Sequence, residues 1–362
     1  SLGSRGTDTY GGRAVAFGTH TFGSDHAITT NSGDIVAQAI VEADGGPNDS
    51  ISLASTWGAS IGAYSTSLTG TMVNHGDIHA LASADFGSAK SYGTFVNSQY
   101  VAATTNSGLI HSTASAEGGD AFAVGSYSNA RHSIYVIDCD EYGCDYANAY
   151  FIADDGLARL TNSGDIIASA SAAGGVGNSY AAVVRGAFGS TLSNSGHIMA
   201  ETEADDAQAT GALLVSFYGA ASIQNSGIIQ AVAEGDLASA TGAGAIGLAG
   251  SGVSVANTGQ IIAAAYGEDA TATAVMMDSN STNKLVNSGS IRALGDGERI
   301  AISSEGAATA DLQNTGTIIG SIQTGDLDDR LVNGSGGKWY ALGTSNFGAG
   351  NDTVNNLAGG LI

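Results

Sequence analysis

Leu160-Thr-Asn162-Ser-Gly164-Asp-Ile166-Ile-Ala168-Ser-Ala170 is followed 32 residues later by Leu192-Ser-Asn194-Ser-Gly196-His-Ile198-Met-Ala200. Their common kernel, Asn-x-Gly-x-Ile, occurs nine times, starting at Asn31, Asn74, Asn106, Asn162, Asn194, Asn225, Asn257, Asn287 and Asn314. The spacings are 43, 32, 56, 32, 31, 32, 30 and 27, so the modal period is near 32 and two repeats carry insertions. Repetition at such a period marks a solenoid or another array, in which each unit buries its apolar face only against its neighbours.

The fourth position after each Asn is Ile in all nine copies: Ile35, Ile78, Ile110, Ile166, Ile198, Ile229, Ile261, Ile291 and Ile318. The sixth is Ala in seven of them, with Ser112 and Gly320 as the exceptions, while residues between vary freely, as at Asp34, Leu109 and Gln260. Constant apolar residues alternating with variable ones define a strand with one buried side. Met72, Leu160, Leu192, Ile223, Val255, Leu285 and Leu312 precede the Asn by two residues. A second strand follows the first, as at Asp120–Val124, Ser179–Val184 and Ala270–Met276. A period of two within the unit excludes helical repeats. The expected fold is all-β, a right-handed parallel β-helix of ~32-residue rungs rising by ~4.8 Å each. Residues 1–320 form this solenoid with an inserted loop at about 131–156, and residues 321–362 continue it with shorter rungs. In that last part Gly325–Asn333 aligns with Gly348–Asn356 at a shift of 23.

Asn-x-Gly suits the corner between strands. Glycine adopts positive φ without strain, and asparagine bonds its own backbone in a turn. Stacked asparagines can also bond one another from rung to rung, as in amide ladders.

Composition agrees with a thin, regular core. The chain has 54 glycines, a single proline (Pro47) and 12% charged residues, against roughly a quarter in an ordinary soluble domain. Its formal charge is −23, with only 11 Lys and Arg. Nucleic acids and anionic membrane surfaces need basic clusters and are excluded as partners. No apolar run approaches the ~20 residues of a membrane helix. The close pair Cys139 and Cys144 fits a local disulfide in an oxidising compartment.

The tandem Leu-x-Asn-Ser-Gly-x-Ile-x-Ala-x-Ala rungs, fullest at Leu160–Ala170 and Leu192–Ala200, together with Phe347-Gly-Ala-Gly-Asn-Asp-Thr-Val-Asn-Asn356, resemble the passenger regions of bacterial autotransporters, the type V secreted adhesins. The resemblance implies a secreted, cell-surface β-solenoid with a structural or adhesive role. It also implies outer-membrane association only through a translocator that this sequence does not contain. The scarcity of Arg and Lys and the absence of catalytic motifs lead to the expectation that the chain is not an enzyme.

The longest gap, between Asn106 and Asn162, exceeds the modal period by about 24 residues. It holds Tyr135, Tyr142, Tyr146, Tyr150 and Phe151, candidates for a recognition or assembly loop, since loops on rigid scaffolds carry function and tyrosine gives contact area at low entropic cost. The alternative is a decorated hairpin covering the solenoid side. Asp138, Asp140 and Asp145, with Glu141, could bind calcium through their oxygens; a solvated acidic loop is the alternative. Gly348-Ala-Gly-Asn-Asp352 resembles half a calcium-binding β-roll repeat, but its sister copy is 23 residues away and plain turn chemistry is the favoured reading. His79 and His111 occupy the same outward slot in consecutive rungs, as a metal pair or a surface stack. No nucleophile elbow, zinc-protease helix motif or phosphate loop is present. The other open functions are a β-helix polysaccharide-cleaving enzyme and a non-catalytic glycan-binding module; the partners expected are another surface protein or glycan, or further copies of the chain.

At the N-terminus, Gly11–Gly18 resembles the second strand Gly118–Gly125, so the chain is expected to begin after a missing first strand. Asn356–Ile362 reads as a corner and the start of a first strand. Matching phases at the two ends fit either a piece cut from a longer solenoid or head-to-tail stacking of copies into filaments.

Overall fold

A strand with one apolar side is stable only where that side is covered, and here each repeat covers its own by laying strands on three faces of a coil. The computed structural model describes residues 2–8, 13–22, 26–41, 52–62, 69–85, 87–130, 139–140, 143–144 and 156–362. In one rung the first face is Asp77–Ala84, the second Gly87–Ser98 and the third Val101–Asn106. Each pairs in parallel with its counterparts in adjacent rungs: Asp77–Ala84 with Leu109–Ala116, Gly87–Ser98 with Ala121–Ala130, and Val101–Asn106 with Thr69–Asn74. The chain is a parallel β-solenoid. Among the described residues its third face is a ladder of eleven strands. Two strands, Asp165–Gly186 and His197–Ser216, run across the edge from first to second face and join those faces into one sheet.

The nine isoleucines form one inward column on the first face, with Ile35 beside Ile78 and so on rung by rung to Ile291 beside Ile318. All are at most 4% exposed. The alanines after them fill the same interior, as at Ala80, Ala82 and Ala84. Trp339 takes the next place in the column, beside Ile318. Its larger ring fills the space under a shorter rung, and its indole N–H donates to the Gly320 carbonyl at 3.0 Å.

The second face bends. Gly93 and Thr94 are both buried, so the in-out alternation slips by one residue there and the strand turns without leaving its ladder. In the first rungs glycine sits at the bend, where a Cβ at Gly58 or Gly93 would press on the γ2 methyl of Ile78 or Ile110 at 2.5 Å, while Ala181, Ala274 and Ala301 take the same place in later rungs. The isoleucine column thus fills the space the bend leaves free.

At the Asn-x-Gly corner the asparagines behave as expected. Asn74 Nδ2 donates to Asn106 Oδ1 at 2.8 Å and to its own Gly76 carbonyl at 2.8 Å. The expected reason for the glycine is corrected. None of the nine corner glycines has positive φ. A Cβ on Gly108 would instead collide with the carbonyl oxygen of Gly76 one rung away, and one on Gly164 with that of Gly108. Those carbonyls accept the next rung's amides, Leu109 N to Gly76 O at 3.1 Å and Asp165 N to Gly108 O at 3.0 Å. Glycine permits this close stacking, whatever its φ.

The expected missing first strand is also corrected. Leu2–Asp8 lies on the first face and pairs in parallel with Ile35–Val41, Leu2 opposite Ile35. The ladder's hydrogen bonds place it there even though its sequence lacks the Ile-x-Ala pattern. The shorter C-terminal rungs continue the same ladders: Arg330–Asn333 pairs with Thr353–Asn356, and Asn333 and Asn356 extend the asparagine column.

Candidate functional site

Outward positions of the second face carry a row of aromatic rings. Register places Phe17, Trp57 and Tyr92 in one column across three rungs, with Val124 and Tyr180 continuing it. Phe17 and Trp57 stack with centroids 4.7 Å apart and planes at 8°; Trp57 and Tyr92 follow at 5.8 Å and 4°. Where Val124 interrupts the column, Phe122 fills in from the neighbouring one, 5.9 Å from Tyr92 and 5.8 Å from Tyr180. Its plane tilts by 54° and 45° to theirs. The strip therefore runs unbroken over five rungs, with Phe17 43% exposed and the other rings half-buried.

The bend adds a second, shorter row. Because alternation slips at Gly93, both Tyr92 and Phe95 point outward, and their rings meet edge to face at 5.8 Å. Phe95 stacks on Tyr127 at 5.1 Å, and Tyr127 Oη accepts a 3.5 Å hydrogen bond from Arg185. His20 lies 5.4 Å from Phe17, and burial lowers its pKa. Aromatic pairs of these kinds contribute ~0.5–1.5 kcal/mol each beyond their burial.

Charge is partitioned around this strip. The second-face segments of the first five rungs, residues 13–22, 52–62, 87–98, 121–130 and 177–186, contain no Asp or Glu. Neither do the third-face segments of those rungs, residues 26–31, 69–74, 101–106, 157–162 and 189–194. The same strands hold Arg13, Lys90, Arg159 and Arg185. Further along, the second face acquires Asp206, Asp278, Glu298 and Glu305. In a chain with 34 acids, the aromatic strip is poor in acids, with Asp120 at its edge in the same column as Asp206.

The other candidates fall as follows. His79 and His111 are neighbours in register, their rings 5.9 Å apart and edge to face. Burial, and then the neighbouring His79, lower the pKa of His111. On either side of the insertion the coil strands end at Ala130 and begin again at Leu157. Tyr135, Tyr142, Tyr146, Tyr150, Phe151, Asp138, Glu141 and Asp145 lie outside the described residues, as does the side chain of Asp140. The backbones of Cys139 and Cys144 face each other in a two-residue antiparallel ribbon. At the C-terminal rungs the carboxylates hold turns together. Asp328 Oδ1 accepts from Asn351 N at 2.7 Å, Asp352 Oδ1 from Asp329 N at 3.0 Å, and the buried Asp329 from Ala310 N at 2.7 Å. Among the described residues no three His, Cys, Asp or Glu side chains cluster as metal ligands.

The aromatic strip is the feature that the rung pattern alone does not disclose. Its signal is an aromatic directly before the bend glycine: Phe17-Gly18, Trp57-Gly58 and Tyr92-Gly93. No family model, curated protein or solved structure matches the chain.

Proposed function

We propose that the chain is a non-catalytic adhesive rod exposed at a bacterial cell surface, of the kind the autotransporter passenger resemblance implies. The observation that carries this reading is the five-rung aromatic strip on an acid-poor side of an otherwise acidic solenoid. A continuous row of partly exposed aromatic rings fits a contact surface. A ladder of backbone hydrogen bonds holds the strip rigid, so a partner would meet preorganised side chains and little ordering entropy would be lost. The partner is a glycan or another surface protein.

The test has two parts. Antibody raised against the purified chain should label intact, unpermeabilised cells of the producing bacterium. Beads coated with the chain should be retained under flow on surfaces that these cells colonise. Labelling only after permeabilisation, or retention no better than albumin-coated beads, would contradict the proposal.

A further inference from the structure

We infer that the aromatic strip of the second face, with Lys90 beside it, binds a linear acidic polysaccharide. The inference rests on the adhesive reading and names its ligand. Three properties of the site point to it. The first is shape: the strip follows the solenoid axis over five rungs, about 19 Å at the spacing of paired strands. That favours an extended polymer over a compact ligand.

The second is surface chemistry. Trp57 is stacked between Phe17 and Tyr92, so ring faces there are spent on one another and the edges turn outward. The rings of the strip combine apolar C–H edges with the N–H of Trp57 and the hydroxyls of Tyr92 and Tyr180. Phe122 is tilted against both its neighbours and breaks the parallel stack. Sugar rings offer the complement, apolar C–H patches interleaved with hydroxyls. Amphipathic aromatics suit surfaces that are partly apolar and partly wet.

The third is charge, and it selects an acidic polymer. A −23 chain repels polyanions over most of its surface. The second- and third-face strands of the first five rungs keep Lys90, Arg159 and Arg185 and carry few carboxylates, with Asp120 at the edge of the fourth rung's second face, where it accepts from Val176 N. Lys90 lies in register with Phe122 one rung away, so its charge sits within the strip. Removing repulsion locally while retaining it elsewhere confines a polyanion to one track. A neutral glycan would need no such partition.

Binding of polygalacturonate to the purified chain, read by calorimetry at low salt, tests this. Neutral dextran and poly-L-glutamate serve as controls. The expected result is saturable polygalacturonate binding that weakens as salt rises, with dextran and polyglutamate at least about tenfold weaker. The Trp57→Ser, Tyr92→Ser double variant should lose about tenfold or more in affinity. Lys90→Glu, at a partly exposed site away from the core, should lose a similar factor and keeps the test valid if the double variant unfolds. Equal binding of polyglutamate would show charge without sugar recognition and overturn the proposal. So would dextran binding as tight as polygalacturonate, absence of polygalacturonate binding, or unchanged affinity in Lys90→Glu. If polygalacturonate binding fails while coated beads still adhere, the ligand is wrong and the adhesive reading stands. If intact cells are not labelled, the adhesive reading itself fails.

Discussion

Asn106 Nδ2 donates to Asn162 Oδ1 at 2.8 Å across 56 residues of sequence, the same distance at which Asn74 meets Asn106 across 32. The ladder is indifferent to what is inserted between its members. Eleven asparagines, from Asn31 to Asn356, are joined in this way. Each interior one also donates to the glycine carbonyl of its own corner, as Asn162 does to Gly164 at 2.9 Å. Asn162→Ala therefore leaves Asn106 without its acceptor and Asn194 without its donor. The expected loss is ~2–4 kcal/mol, combining lost hydrogen bonds with newly unsatisfied buried groups. Urea unfolding checks it; a change below about 0.5 kcal/mol would contradict the ladder's role.

Corner glycines separate two explanations. Gly164→Ala forces a methyl against the Gly108 carbonyl, whereas a Cβ at Gly33 meets nothing within 4 Å. Gly164→Ala should destabilise by ~2 kcal/mol or more, and Gly33→Ala by less than about 0.5 kcal/mol. Equal effects at both sites would mean that conformation, and not stacking, selects glycine.

Ile198 is fully buried between Ile166 and Ile229. Ile198→Ala should cost ~2–5 kcal/mol through lost burial and a residual cavity, and Ile198→Asp more, through an unpaired buried charge. Thermal melts of the two variants, ranked in that order below the parent, are the expected result.

His111 yields a pH dependence with a defined sign. Its pKa is lowered from 6.5 in the folded chain by burial and by His79. Below 6.5 the unfolded chain therefore takes up a proton that the folded chain resists, and stability falls as pH falls. The loss continues until His111 protonates in the fold. His111→Gln should flatten the change in urea midpoint between about pH 7.5 and 5.5. An unchanged pH response would contradict this assignment.

The facing backbones of Cys139 and Cys144 suit a local bridge. A thiol assay on native protein should find no titratable cysteine until reductant is added. Unfolding should shift little on reduction, because so short a loop loses little entropy on closure.

The isoleucine and asparagine columns were legible in the sequence because each is a single residue type at a fixed phase from the corner. The corner glycine was legible as a position but not in its cause. The carbonyl that excludes a side chain at Gly164 belongs to Gly108, remote in sequence and adjacent only once the rungs stack. Leu2–Asp8 carries no Ile-x-Ala alternation, and its place comes from pairing with Ile35–Val41. The aromatic strip stayed hidden because Val124 interrupts its column and Phe122 repairs it from two residues away. That repair exists only in three dimensions.

The asparagine ladder and the aromatic strip both depend on rungs stacking in register across the insertion. Spin labels at Ser107 and Ser288, both exposed corner residues, test it directly in a background with Cys139 and Cys144 replaced by Ser. The two lie five ladder steps apart, Asn106 through Asn162, Asn194, Asn225 and Asn257 to Asn287. Pulsed dipolar spectroscopy should give a single narrow distance near ~24 Å between the attachment points, plus the reach of the labels. A broad distribution, or a peak displaced by several rungs, would contradict the stacked register.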